Sequence, residues 1–117
     1  MKNNFGKHAE TLASWYLRLH GYKILARNFH SRFGEIDIIA KKLGTIAFVE
    51  VKARSNGTVA PAYAVTEQKR EKIIKTAHHF ITKYSLFNAD MSFDVIEIVK
   101  VGRRYKFNHI KNAFEIN

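Results

Sequence analysis

Cysteine is absent from the chain, which removes disulfides, thiolate zinc sites and cysteine nucleophiles from consideration. No apolar run reaches the 18 residues that a membrane-crossing helix needs. The opening Met1-Lys2-Asn3-Asn4 lacks the hydrophobic stretch of a signal peptide, so cytoplasmic residence without a membrane is the expectation. No glycine-rich phosphate loop occurs, and the six histidines (His8, His20, His30, His78, His79 and His109) show no His-x-x-x-His spacing. Nucleotide and histidine-metal chemistry therefore have little support. Acidic side chains are scarce, with ten Asp and Glu against twenty Lys and Arg, for a formal charge of +10. That balance favours a polyanionic partner, nucleic acid first, through counterion release and long-range attraction.

At 117 residues and 46% hydrophobic, the chain matches one domain spanning residues 1–117, with a single core. Ala9, Leu12, Ala13, Tyr16 and Leu17 recur at helical spacing, and Gly21 follows as a C-terminal cap. An extended stretch from Tyr22 to Asn28 leads to the Arg32-Phe33-Gly34 turn and a strand over Glu35 to Ala40. The Lys42-Leu43-Gly44 turn joins it to a second strand, Thr45 to Arg54, forming a hairpin. Ser55 to Val65, containing Gly57 and Pro61, reads as a loop before Thr66 caps another helix, with Glu67 in its first turn. Ile73, Ile74, Ala77, Phe80, Ile81 and Tyr84 give that helix a buried stripe. Phe93 to Lys100 and Arg103 to Ile110 form two more extended runs, joined at Val101-Gly102. Trp15, Tyr16 and the phenylalanines read as core or packing groups, with stacking on unpaired bases as the minority alternative. With no internal repeat or low-complexity segment, the order is α-β-β-β-α-β-β, which predicts an α/β sandwich with a mixed sheet flanked by helices.

In a chain this basic, the grouping of Glu35, Asp37 and Glu50 on two paired strands stands out. Strand alternation puts Glu35, Asp37 and Ile39 on one side and Ile36, Ile38 and Ala40 on the other. Glu50 and Lys52 share a face, opposite Ala47, Val49, Val51 and Ala53, which read as core. The hairpin can thus converge Asp37, Glu50 and Lys52. Two ionised carboxylates held close repel each other unless a cation lies between them. Magnesium suits that position, because it takes one or two carboxylates together with phosphate oxygens and water. Lys52 could then meet a scissile phosphate or polarise an attacking water. The same residues also admit a plainer reading, as solvent-facing strand charges paired across the hairpin.

Other charges carry two readings as well. Glu10 lies on the flank of the first helix's apolar stripe, where it could lean over the carboxylates or face solvent. Lys69 borders the second helix's stripe and Arg70 continues it, so they either meet a phosphate backbone or curl around the helix end. Arg27, Arg32, Lys41, Lys42, Arg54, Arg103, Arg104 and Lys106 fall at turns and strand ends, where they could follow a phosphate backbone or serve solubility.

From Gly34 to Arg54 the chain reads GEIDIIAKKLGTIAFVEVKAR, and it resembles the YraN-like family of predicted endonucleases in the PD-(D/E)XK superfamily. The resemblance extends to GKHAE at Gly6 to Glu10, GYKILARN at Gly21 to Asn28 and FDVIEI at Phe93 to Ile98. It implies a restriction-endonuclease-like core, distantly similar to archaeal Holliday-junction resolvases, and phosphodiester hydrolysis assisted by magnesium or manganese. On that resemblance, Asp37 matches the superfamily's strand aspartate, Glu50 its second metal ligand, Lys52 its lysine and Glu10 its first-helix glutamate. Glu35, within the Gly-Glu-Ile-Asp pattern, would bind metal through water or hold a neighbouring cation. One departure is Ser92, which stands where the family often has arginine.

The expectation from sequence is therefore a metal-dependent endonuclease acting on DNA. Asp37 and Glu50 would bind metal, Glu10 and Glu35 would support them, and Lys52 would orient water. Lys69, Arg70, Arg54, Arg27 and Lys42 are the candidate DNA contacts. Resolvase kinship suggests branched DNA and a symmetric homodimer. A rival reading is a DNA-binding module with weak chemistry, acting with a recombination or helicase partner. A third is a protein-interaction role.

Overall fold

A computed structural model describes residues 4–55 and 65–115, with side chains from residue 8 onward. Its elements are α1 (Asn4–Leu19), β1 (Lys23–Ser31), β2 (Gly34–Lys42), β3 (Thr45–Ser55), α2 (Glu67–Lys83), β4 (Asp90–Val101) and β5 (Arg104–Phe114). The five strands form one sheet in the order β1-β2-β3-β4-β5, with β3 and β4 parallel and every other pair antiparallel. The chain thus has the α-β-β-β-α-β-β order and mixed sheet that its pattern predicts.

The helices take opposite faces of the sheet. Ala9, Ala13 and Leu17, four residues apart on α1, are fully buried against Ile38, Ala40, Val49, Ile96 and Ile98. On the other face, Ile73, Ala77, Phe80 and Ile81 of α2 pack on Ile36, Ile39, Ile46, Phe48 and Val95. With both faces covered, β3 and β4 read as nearly continuous apolar runs. That is why Ile46 and Phe48, as well as Ala47 and Val49, are buried, whereas Ala53 lies beyond the helices and is exposed. Ile36 joins Ile39 in the α2-side cluster, so strict alternation along β2 fails near its start.

Local chemistry ends the helices where the site requires. Gly21, at φ 89°, lets its N–H reach the Arg18 carbonyl at 3.1 Å while the Tyr22 N–H reaches the Leu17 carbonyl at 2.9 Å. These are the paired bonds of a Schellman termination. Thr66 caps α2 by accepting the Lys69 N–H at 3.2 Å on its hydroxyl. At its far end, Ser85 adopts φ 55° and the Leu86 N–H bonds the Ile81 carbonyl at 2.9 Å. The chain leaves the sheet there, so Tyr84, expected in the stripe, is half exposed, with its ring against Phe80 and the Lys83 ammonium. Trp15 and Phe87, read as core or packing groups, are also exposed, Trp15 beneath the Arg18 guanidinium.

Several strand boundaries differ from the pattern: β1 continues to Ser31 and β4 begins at Asp90. The β4–β5 turn falls at Gly102-Arg103, with Gly102 at φ 62°, and β5 runs on past Ile110 to the buried Phe114. That extension crosses a register shift opposite Asp94, where Asn112 takes φ 51° and turns its N–H onto the Asp94 Oδ1 at 3.1 Å. Ser92 donates its hydroxyl to the same oxygen, and His109 Nε2 lies 2.8 Å from Oδ2. A fully buried carboxylate is thereby satisfied on both oxygens, as a low-dielectric interior demands. Residues 56–64, most of the expected loop, lie outside the described residues.

Candidate active site

The ladder between β2 and β3 runs from Lys42↔Thr45 to Ile38↔Val49. At the next step a side chain replaces backbone, because Asp37 Oδ2 accepts the Val51 N–H at 2.8 Å. This bond holds the carboxylate in the seam where the two strands part, rather than on one face of the sheet. Glu50, one residue before Val51, projects toward α2 and is nine-tenths buried. Its Oε1 lies 2.5 Å from Lys69 Nζ and 3.5 Å from Lys52 Nζ.

The electrostatics of this seam are one-sided. Burial and the Glu50 charge push the Asp37 carboxyl up to about 7 against the Val51 hydrogen bond, and the Glu10 charge adds to the rise. Lys69 opposes it only in part. Burial depresses the Lys69 ammonium, but the hydrogen bond and charge of Glu50 outweigh that and leave it above its ordinary value. Glu10 comes from α1, on the other side of the sheet, and its Oε1 is buried with no hydrogen-bond partner among the described residues. Asp37 therefore senses carboxylates from both layers.

Of the residues expected from sequence, the fold gathers Glu10, Asp37, Glu50, Lys52 and Lys69 around this seam. Glu35 is exposed and pairs with His30 at 3.3 Å, on the strand leading into the site. Arg54 bonds Glu97 at 2.9 Å on the same face as Glu50 and Lys52. Arg70 donates to the Val65 carbonyl and lies over the Phe114 ring, at the head of α2. Arg27 donates to the Thr11 hydroxyl, tying β1 to α1. Lys42 is at the opposite end of β2 from Asp37, over the Tyr22 ring.

Sequence reasoning passed over Glu97. It is buried and stands directly across from Lys52 in the parallel β3–β4 ladder, beside Arg54. A charge inside the apolar run Phe93–Ile98 was its signal; the partners come from β3, 43 residues away along the chain. Ser92, the departure from the family's frequent arginine, is buried in the hydrogen-bond network around Asp94.

The family model described as "Uncharacterised protein family UPF0102" matches residues 9–98, which contain every one of these seam residues. The chain belongs to this family. A UPF0102 protein of Persephonella marina is 46% identical over 113 residues, covering 96% of this chain and 94% of its own. Relatives in Geobacter metallireducens and Syntrophomonas wolfei are 46% and 44% identical, each aligned over 97% of this chain. Those UPF0102 proteins match over 93% and 100% of their own lengths, so the similarity takes in both helices and the whole sheet.

The donor set of this UPF0102 chain fits a divalent cation. Among the described residues no three His, Asp or Glu side chains form a cage of their own. Magnesium does not need one, since it binds through one or two carboxylates and completes its shell with water and substrate phosphate. The Glu10 oxygen, buried with no hydrogen-bond partner among the described residues, and the raised Asp37 pKa, to which the Glu50 and Glu10 charges contribute, mark carboxylate charge that the lysines offset only in part. No described helix is long and apolar enough to cross a membrane.

Proposed function

We propose that this protein is a metal-dependent endonuclease of the PD-(D/E)XK type that hydrolyses phosphodiester bonds in DNA. The observation that carries the reading is the Asp37 carboxylate, fixed by the Val51 N–H in the opening between β2 and β3, next to Glu50 and Lys52. Asp37 and Glu50 would hold magnesium or manganese, which supplies Lewis-acid stabilisation of charge on the phosphate. Glu10 adds negative charge from α1 and can take up a hydrogen bond from water in the metal's shell. Lys52, half-exposed beside Glu50, donates hydrogen bonds either to a non-bridging phosphate oxygen or to the attacking water. Water adds its oxygen to phosphorus, one P–O ester bond breaks, and the products are a phosphate monoester and a hydroxyl. The formal charge of +10 draws the polyanion to the site.

The experiment is a substrate panel of linear, single-stranded and four-way DNA with magnesium or manganese, run beside Asp37→Ala. Metal-dependent cleavage by the wild type, abolished in the variant, supports the reading; cleavage that survives in the variant overturns it.

A second reading has its own observation. Lys69 Nζ is bonded at 2.5 Å to the Glu50 oxygen that a metal would use, so an ammonium competes with the metal for this ligand. A DNA-binding module with slow chemistry, working beside a recombination or helicase partner, would look the same. Salt-sensitive DNA affinity with no metal-stimulated cleavage of any substrate would select it.

A further inference from the structure

The β1–β2 hairpin is clamped to α2 beside the candidate active site. Ser31 and Thr76 share a hydrogen bond at 3.0 Å, and Gly34 packs beside Lys72 of α2, where a Cβ would lie in ordinary contact, 3.4 Å from the Lys72 Cβ. On either side of this clamp is a depression. One, of about 330 Å³, has Glu35, Thr66, Lys69 and Lys72 in its walls and adjoins Glu50 through Lys69. The other, of about 370 Å³, is bounded by Phe33, Lys75, His78, His79 and Thr82.

Along α2, positions 69, 72, 76, 79 and 83 fall on one arc of the helix by its 3.6-residue period. Buried Thr76 marks that arc as the side facing the hairpin, so Lys69, Lys72, His79 and Lys83 line its margin. Lys75 stands just outside it, 5.8 Å from the Phe33 ring centre, and the Arg32 guanidinium lies 4.9 Å from the same ring. The result is a basic track leading away from Glu50, with an aromatic ring beside it and Glu35 as the carboxylate in its walls, paired with His30.

We propose that this track binds a single-stranded polynucleotide flanking the cleavage site, with its phosphates on Lys69, Lys72 and Lys75 and an unpaired base on Phe33. The assignment rests on the nuclease reading only for where the strand begins. A ring that carries cations can exchange one of them for a base, because stacking of a base on an aromatic outweighs a single exposed cation–π contact. The displaced ammonium of Lys75 then meets the neighbouring phosphate. A duplex cannot use Phe33 in this way, since the faces of its paired bases are covered by their neighbours. Phe33 therefore selects substrates in which one strand leaves the helix.

The test is fluorescence anisotropy in EDTA, so that no cleavage intervenes, with a labelled mixed-sequence single-stranded oligodeoxynucleotide and a blunt duplex of equal length. Phe33→Ala is expected to weaken single-strand binding roughly ten- to a hundredfold and to leave duplex binding within twofold of wild type. Phe33→Trp restores the single strand, whereas Phe33→Leu does not. Lys72→Ala and Lys75→Ala each lower the salt slope on the single strand by about 0.7. Circular dichroism and thermal melting show that each variant is folded, and the exposed Lys75 gives a readout that does not depend on Phe33. Equal single-strand affinity for wild type and Phe33→Ala, or equal losses on single strand and duplex, overturns the proposal. Because binding is read without metal, a protein that prefers single strands through Phe33 and never cleaves keeps the track and loses the nuclease. One that cleaves with Phe33→Ala as it does with wild type, and binds no more weakly, keeps the nuclease and loses the track.

Discussion

Lys69 of α2 and Glu50 of β3 form a charge-assisted contact of 2.5 Å, in which the helix's first turn occupies one oxygen of the carboxylate best placed to hold a cation. The contact couples the position of α2 to the charge state of the seam between β2 and β3.

Removing that ammonium should release the carboxylate. Lys69→Ala is expected to tighten manganese binding about three- to tenfold in isothermal titration calorimetry, since one competing positive charge near the seam is lost. The same variant should bind DNA more weakly, as one phosphate contact disappears. Unchanged manganese affinity would show that Glu50 is not a ligand.

The role assigned to Lys52 is separable from metal binding. Lys52→Ala should reduce metal-stimulated cleavage at least a hundredfold, in the range of general acid–base and electrostatic contributions, while manganese affinity changes less than threefold. Single-turnover cleavage assays beside calorimetry check both halves.

Asp37 makes stability fall as pH rises. Its folded pKa of about 7 lies above the ordinary carboxylate range, so the folded state keeps a proton that the unfolded state has already released. The associated stability is complete below about pH 4 and is lost as pH climbs through 7. Asp37→Asn keeps an acceptor for the Val51 N–H without the charge. In metal-free buffer it should therefore gain about 2 kcal/mol over wild type at pH 8 and little at pH 4, after allowing for partial solvent access. Urea denaturation at the two pH values measures the difference. Magnesium should raise the wild-type melting temperature at pH 8 and leave Asp37→Asn nearly unmoved.

The Asp94 network makes an equally sharp prediction about the fold. Asp94→Ala removes the partner of His109, Ser92 and the Asn112 N–H together, inside the core. The expected cost is about 3–5 kcal/mol, measured by urea unfolding, with Asp94→Asn costing less because it retains one acceptor.

Much of this architecture is legible in the residues one after another. The spacing of Ala9, Ala13 and Leu17, the cap at Thr66 and the apolar runs of β3 and β4 specify their elements, because local hydrogen bonding and one-sided burial depend on near neighbours. Asp37, Glu50 and Lys52 stand out because charges are costly within strands that are otherwise apolar. Tyr84 and Trp15 mislead for the converse reason: helical period gives direction around an axis, but not how far the sheet beneath it extends.

What sequence alone determined was the order of elements, the sign of the surface charge and the short set of acidic residues worth testing. Only the folded chain decided which charges meet. The separation of β2 from β3 turns Asp37 into the sheet's seam, α1 brings the buried Glu10 oxygen from one side, and α2 brings Lys69 from the other. Glu97 finds Arg54 and Asp94 finds His109 across strands, not along them. Such encounters depend on distances of a few ångströms between segments far apart in the chain, because electrostatic and hydrogen-bonding energies fall within that range.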